Sequence, residues 1–315
     1  MTPLAALLRD RIDREGSISF YSFMDAALYH PEYGYYRRPG RDPFGAQGDF
    51  FTAEQLQPVF GILIAARIRA LREEMGSPDD FTVVELGPGR GEMSEAIGDL
   101  VLAPVGADLP EAFRGVVFSN EFFDALPVHR VVWIAGEPRE SRVGWRGGRF
   151  VWVPGDPVTD EIRDYLDRYL PPAPDRVSAE VNLDALRWME RIAGRLQSGY
   201  VFTIDYGYTS AESKRFPDGT LMSYRRHAAL DDVLAGPGER DITAHVCFTA
   251  LEERGRELGL KTARFERLSQ TLLAAGEADR FAAALAGPDE LRRRMQLKTL
   301  LFGMGETFRV LLQEK

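Results

Sequence analysis

A chain of 315 residues and 35.3 kDa is long enough for one large domain or two modest ones. With 44% hydrophobic and 28% charged residues it has ordinary globular composition, which excludes bulk disorder. A formal charge of -9 argues against a general nucleic-acid binder, whose affinity comes from neutralising phosphates, and fits a small-molecule enzyme or a protein that recognises basic segments.

Cys247 is the single cysteine, so no intramolecular disulfide and no cysteine-rich zinc site can form. His30, His129, His227 and His245 never fall four residues apart, which leaves no two-histidine helical metal site and predicts no metal. No run approaches the roughly 20 apolar residues of a membrane helix. The start, MTPLAALLRDRIDREG, carries Asp10, Asp13 and Glu15 where a secretion signal needs cations and then an apolar core. These features predict a cytoplasmic protein without membrane insertion.

Leu4, Leu7, Leu8 and Ile12 recur at helical spacing and predict a first helix stopped by Gly16; a second, over 19–29, is halted by His30-Pro31. The glycine- and aromatic-rich stretch 33–51 is long and aperiodic, as functional loops are. Phe60, Leu63, Ile64, Ile68 and Leu71 predict a long helix over 54–75. The run FTVVEL at 81–86 has the unalternating apolar character of a parallel strand buried on both faces. It feeds Gly87-Pro88-Gly89-Arg90-Gly91 and a helix over 92–98, the opening of a βαβ unit.

Val116-Val117-Phe118 and 200–205 read as further core strands, 128–134 as another, and 139–153 as a hairpin turning at Gly147-Gly148. Helices are expected at 157–170, 179–197 and 249–258, and charged helices over 269–300. A strand is expected at 220–224 and an edge strand at 307–312. The order of elements predicts an α/β fold with an open, mostly parallel sheet.

In open α/β sheets the ligand meets the carboxyl ends of the strands. A dinucleotide site would carry its last glycine where this chain has Glu92, and a carboxylate there repels a pyrophosphate. That disfavours a nicotinamide-dependent oxidoreductase. No Gly-Lys-Ser/Thr follows, so the turn is no P-loop, and no G-x-S-x-G elbow occurs. A ligand without phosphates fits better. S-adenosylmethionine is one, with Glu85 facing its ammonium and Gly87, Gly89 and Gly91 letting backbone approach it. A purely structural strand-to-helix turn is the alternative.

Asn120, Glu121 and Asp124 follow the strand at 116–119, where a methyl acceptor would lie. Paired carboxylates suit a guanidinium, which stays cationic and must be held and then relieved of a proton. Equally, Glu121 could cap a turn and Asp124 make a structural hydrogen bond. His245, in DITAH at 241–245, is a candidate base or a packed ring.

HPEYGYY at 30–36, GDFFTA at 48–53, VELGPGRG at 84–91, NEFFDALPVHR at 120–130, IDYGY at 204–208, DITAHV at 241–246 and MGETFRVL at 304–311 together resemble the MidA-like family of S-adenosylmethionine-dependent methyltransferases. That family includes a mitochondrial complex I assembly factor that methylates arginine. The resemblance implies a class I, Rossmann-like methyltransferase sheet with an N-terminal helical cover and C-terminal helical additions. It implies a cover and cofactor-closing loop over 1–78 and a core over 79–315. By the same resemblance Glu85, Gly87, Gly89 and Gly91 bind the cofactor, Gly48, Asp49 and Thr52 close over it, and Asn120, Glu121 and Asp124 lie at the acceptor. The implied partner is a protein presenting an arginine, such as a respiratory-complex subunit.

Two departures stand out. Cys247 replaces an aspartate usual in the family, and Gly115 follows Gly91 by only 24 positions, which predicts a shortened second and third strand region. Asp108 is then the nearest acidic candidate for the cofactor's ribose, with Asp99 equally placed on spacing. The departures also admit a second reading, a non-catalytic assembly protein on a degenerate methyltransferase scaffold.

Overall fold

The computed structural model describes residues 1–38, 56–172, 177–225, 228–230 and 232–315. From the N-terminus come α1 (Pro3–Glu15), β1 (Ile18–Ser19), α2 (Phe20–Tyr29), α3 (Val59–Glu74), β2 (Phe81–Leu86), α4 (Ser94–Ile97), β3 (Val101–Ala103) and β4 (Phe113–Asn120). Next are β5 (His129–Ile134), β6 (Glu137–Arg146), β7 (Arg149–Pro157), α5 (Asp160–Tyr169), β8 (Ser178–Val181), α6 (Leu183–Arg195) and β9 (Leu196–Tyr208). The last third holds β10 (Met222–Arg225), β11 (Ala228–Leu230), β12 (Asp241–Thr243), β13 (Val246–Cys247), α7 (Phe248–Glu257), β14 (Lys261–Arg267), α8 (Leu268–Glu277), α9 (Ala282–Leu285), α10 (Glu290–Thr299), a π turn Leu300–Met304, and β15 (Phe308–Glu314).

These elements form two compact units. One comprises Met1–Phe51, Asp124–Leu186 and Tyr208–Thr249, the other Thr52–Phe123, Arg187–Gly207 and Ala250–Lys315. The expected boundary near residue 78 is therefore not a boundary of either unit; the chain alternates between them, because strands distant in sequence pair within each.

The second unit carries the mostly parallel sheet. Its strands run β14-β15-β9-β4-β2-β3, parallel from β3 to β9 and antiparallel from β9 to β14. The chain leaves β2 for β3 on one side and returns to β4 on the other, so the carboxyl end of β2 is the topological switch point where such sheets bind ligands. Phe60, Leu63, Ile64 and Leu71 of α3 and Leu268 and Leu272 of α8 pack with Val116, Phe118, Phe202, Ile204 and Val310 of the strands. As expected, the region between Gly91 and β4 is short, holding one three-residue strand.

The first unit is built on an antiparallel sheet, order β1-β6-β5-β8 with β7 on β6, and a small sheet β11-β10-β12. Thr2 and Ser19 cap α1 and α2 by accepting from the amides of Ala5 and Ser22. Leu4, Leu8, Phe20, Phe23, Met24 and Leu28 of these helices pack with Val143, Phe150 and Ile242.

Several expectations need correction. The helix after the glycine turn is a single turn, because Gly91 and Gly98 bracket it with positive φ. Residues 178–181 are a strand rather than the start of α6. The segment 261–267, KTARFER, is a strand that its charges conceal, and it makes β15 an interior strand rather than an edge. Residues 241–243 are a strand too.

Candidate active site

The glycine turn begins where β2, buried from Val83 to Leu86, runs out. Gly87, Gly89 and Gly91 have φ of 61°, 52° and 78°, the left-handed region that a side chain strains to enter. A Cβ on Gly87 would stand 2.7 Å from Cδ2 of Phe122, so the turn accepts no bulk and packs directly against the segment after β4. Gly87 N donates to Ala103 O at 3.0 Å, tying the turn to β3. Glu92 accepts from the Arg90 amide at 3.0 Å and so braces the turn. With α4 only four residues long, no helix dipole reaches this site.

Glu85 lies at the switch point with 1% of its surface exposed. Neither carboxyl oxygen has a hydrogen-bond partner among the described residues. Burial, with a smaller contribution from Glu92, pushes the carboxyl up to about 8. A buried carboxyl without donors is costly unless a cation or donor meets it, so this position suits a ligand ammonium.

At the end of β4 the backbone turns sharply. Glu121 has φ 53°, an uncommon conformation for a residue with a side chain, and its amide donates to Ile204 O at 3.0 Å. Asn120 Nδ2 donates to Glu121 Oε1 at 3.2 Å, while Asn120 Oδ1 is buried with no partner among the described residues. Asp205, fully buried at the end of β9, accepts from the Phe123 amide at 3.0 Å and from the Tyr206 amide at 2.9 Å. One carboxylate thus pins the Asn120–Phe123 turn to β9. Phe122 continues onto Trp188, ring centroids 5.1 Å apart. The grip of Asp205 on Phe123 spans 82 positions and leaves no local signal in the sequence.

The structure thus brings Glu85, Gly87, Gly89, Gly91, Asn120 and Glu121 together at the carboxyl ends of β2 and β4. It does not bring Asp108 there. That residue lies five positions beyond β3, its side chain wholly exposed and 3.7 Å from Arg191 Nη2, and Val105, Gly106 and Ala107 between them offer no carboxylate. Gly48, Asp49 and Thr52 lie outside the described residues.

Asp124 and His245 belong to the other unit. Asp124 is buried, and its carbonyl accepts from the Ala244 amide at 3.0 Å. The ring of His245 stands edge-on to Phe216, and burial lowers its pKa, which favours the neutral ring. Two tyrosines missed in the sequence join this region: Tyr29 donates to Ala125 O at 2.9 Å and Tyr36 to Asp241 Oδ1 at 2.8 Å, the rings stacked 5.7 Å apart. Burial raises both hydroxyls well above their ordinary range, and the charges of Asp241 and Asp124 add to it.

Residues 106–266, just over half of the chain, match the sequence profile of a family of S-adenosyl-L-methionine-dependent methyltransferases. The chain belongs to that family. It is an enzyme of this class, and its cofactor is S-adenosyl-L-methionine. A crystal structure of a superfamily member from Burkholderia thailandensis bound to S-adenosyl-homocysteine superposes with a TM-score of 0.85 at 29% identity, over 99% of this chain and 92% of that one. The mitochondrial protein arginine methyltransferase NDUFAF7 homolog of Drosophila melanogaster is 27% identical over 78% of this chain and 68% of its own length. The Homo sapiens protein arginine methyltransferase NDUFAF7, also named as mitochondrial, is 27% identical over 80% and 68%.

The class I methyltransferase fold expected from the motifs is present. The cytoplasmic location expected from the missing secretion signal is corrected, since the similar curated proteins are named as mitochondrial. No helix among the described residues is long and apolar enough to cross a membrane.

Proposed function

We propose that this methyltransferase acts on an arginine of a protein partner, with Glu121 as the carboxylate that receives the guanidinium. The observation that carries the reading is Glu121 itself: an ionisable side chain in a strained turn at the end of β4, with the glycine turn packed on its neighbour Phe122. Similarity to proteins named arginine methyltransferases supports the choice of acceptor.

The bound cofactor supplies an electrophilic methyl group on a sulfonium. Glu85 would hold the cofactor's ammonium, and its unpartnered oxygens fit that role. Gly87, Gly89 and Gly91 would leave room for the ligand along the backbone, and Gly48, Asp49 and Thr52 are proposed to close over it. Glu121, oriented by Asn120, would bind the guanidinium through charge-assisted hydrogen bonds and take up the proton released when the nitrogen is alkylated. Because a guanidinium and a sulfonium repel, a preorganised anion at this position lowers the barrier directly. Asp124 and His245 are separate candidates, each to be read by its own substitution. A respiratory-complex subunit as the partner is likewise proposed.

The test uses S-adenosylmethionine carrying a labelled methyl group, incubated with the enzyme and a cell extract. Labelled protein that yields methylated arginine on hydrolysis is expected. Glu121→Gln should lower labelling by about a hundredfold or more, while calorimetry shows S-adenosyl-homocysteine binding unchanged. Label on lysine or on small molecules alone would refute the arginine assignment, and undiminished labelling by the variant would remove Glu121 from the chemistry.

A further inference from the structure

The helix α10 and the π turn that prolongs it carry large apolar side chains on the wrong face. Gln296, Leu297, Leu300 and Met304 point inward, onto or beside the core beneath the sheet unit. Opposite them, Leu291 is 74% exposed, Met295 57% and Phe302 77%, the most exposed large apolar residues among the described ones apart from Met1. Their spacing of four and seven positions, with Lys298 between, aligns them in one stripe.

Arg292 lies on one flank of the stripe and Arg294 on the other, with Lys298 within it. Arg292 and Lys298 make no ion pair among the described residues, while Arg294 is held by Glu290 at 2.6 Å. In a chain whose formal charge is -9, this is a local cationic border around an apolar ridge.

We infer that this face is a peripheral docking surface for an anionic membrane. An interfacial helix has this composition: Phe, Leu and Met enter the boundary between headgroups and acyl chains while long cationic side chains stay at phosphate level. The ridge belongs to α10 and the π turn that prolongs it. Three side chains fall short of the roughly 800 Å² per partner of a standard protein interface, whereas a lipid surface demands no matching shape. The negative charge of the remaining chain opposes long-range attraction, so binding depends on insertion and on cations acting within a Debye length of about 8 Å.

The experiment is co-sedimentation of the full chain with vesicles of phosphatidylcholine, alone or with about 30% phosphatidylserine. The wild type should sediment with the anionic vesicles and far less with the neutral ones. Leu291→Ser with Phe302→Ser should reduce the bound fraction about tenfold or more, with S-adenosyl-homocysteine binding and melting temperature unchanged. Wild-type protein that stays in the supernatant with anionic vesicles overturns the inference, as does a double variant that binds equally well. Concentration-dependent self-association in sedimentation velocity, abolished by the same variant, would overturn it in favour of a second copy of the chain.

Discussion

Among the described residues each unit contains one glutamate that is almost wholly buried and held above its ordinary titration range, and the two are not equivalent. Glu180 of β8 is 4% exposed, and burial is the main cause of its raised pKa. Its Oε2 accepts from both the amide and the hydroxyl of Thr220, each at 2.8 Å, and the charge of Arg130 offsets part of the cost. Glu85 is 1% exposed, driven upward by the same desolvation, yet has no donor on either oxygen. Burial and pKa direction therefore do not separate site from scaffold here. What separates them is whether the protein supplies any donor: Oε2 of Glu180 is taken up by Thr220 while its Oε1 has no partner among the described residues, and Glu85 has none on either oxygen.

The largest effect expected from this contrast is on stability. Glu180→Ala leaves the Thr220 amide and hydroxyl buried without an acceptor, and should destabilise the chain by about 3 kcal/mol in denaturant unfolding. S-adenosyl-homocysteine affinity, measured on the folded variant, should not change. A loss of affinity comparable to the loss of stability would mean that Glu180 belongs to the ligand site and would abolish the distinction.

Glu85→Gln should do the reverse: stability unchanged or slightly increased near neutral pH, and S-adenosyl-homocysteine affinity lowered by about tenfold or more. A pH series sharpens this. The folded carboxyl titrates near 8 against 4.5 for an ordinary glutamate, so the folded chain keeps a proton that the unfolded chain loses between those values. Stability of the free enzyme should fall as pH rises through that window and level off above it. Ligand affinity should rise over the same range, because pairing with the ammonium requires the ionised carboxylate. Both slopes should vanish in Glu85→Gln, and a slope that survives there belongs to another group.

The parts of the fold legible in the sequence were those whose physics is local. FTVVEL, the run at 116–118 and the run at 200–205 are unbroken and apolar because parallel strands are covered on both faces, and the glycines after β2 announce a turn that no other residue tolerates. KTARFER was illegible because β14 is almost fully exposed, its backbone paired with β15 and its Thr262 and Glu266 side chains bonded to Glu252 and Thr271, so burial imposed no pattern on it. The helix after the turn was overread, since two glycines outweigh the short helical pattern between them. Glu85, at the end of β2, and Glu121, just after β4, could be named from their places at strand ends. Asp205's hold on Phe123 and the partnering of Tyr36 with Asp241 could not, because they join residues 82 and 205 positions apart.

The smallest effect expected is at Asp108, where sequence spacing and geometry diverge most. Methyltransferase sheets hold the cofactor's ribose hydroxyls with a carboxylate, and a useful one must be shielded from water, since charge-assisted hydrogen bonds weaken steeply when exposed. Asp108 is wholly exposed and its nearest cation is Arg191, whose guanidinium lies 4.0 Å over the Trp188 ring and donates to Ala107 O at 2.5 Å. A pair of this kind at a surface contributes little. Asp108→Ala should therefore change S-adenosyl-homocysteine affinity by less than about threefold, leaving the proposed Glu85 ammonium contact as the dominant polar determinant. A loss of tenfold or more would show instead that the segment after β3 folds inward when the ligand binds. The short strand would then have kept its ribose carboxylate by moving it five residues along the chain.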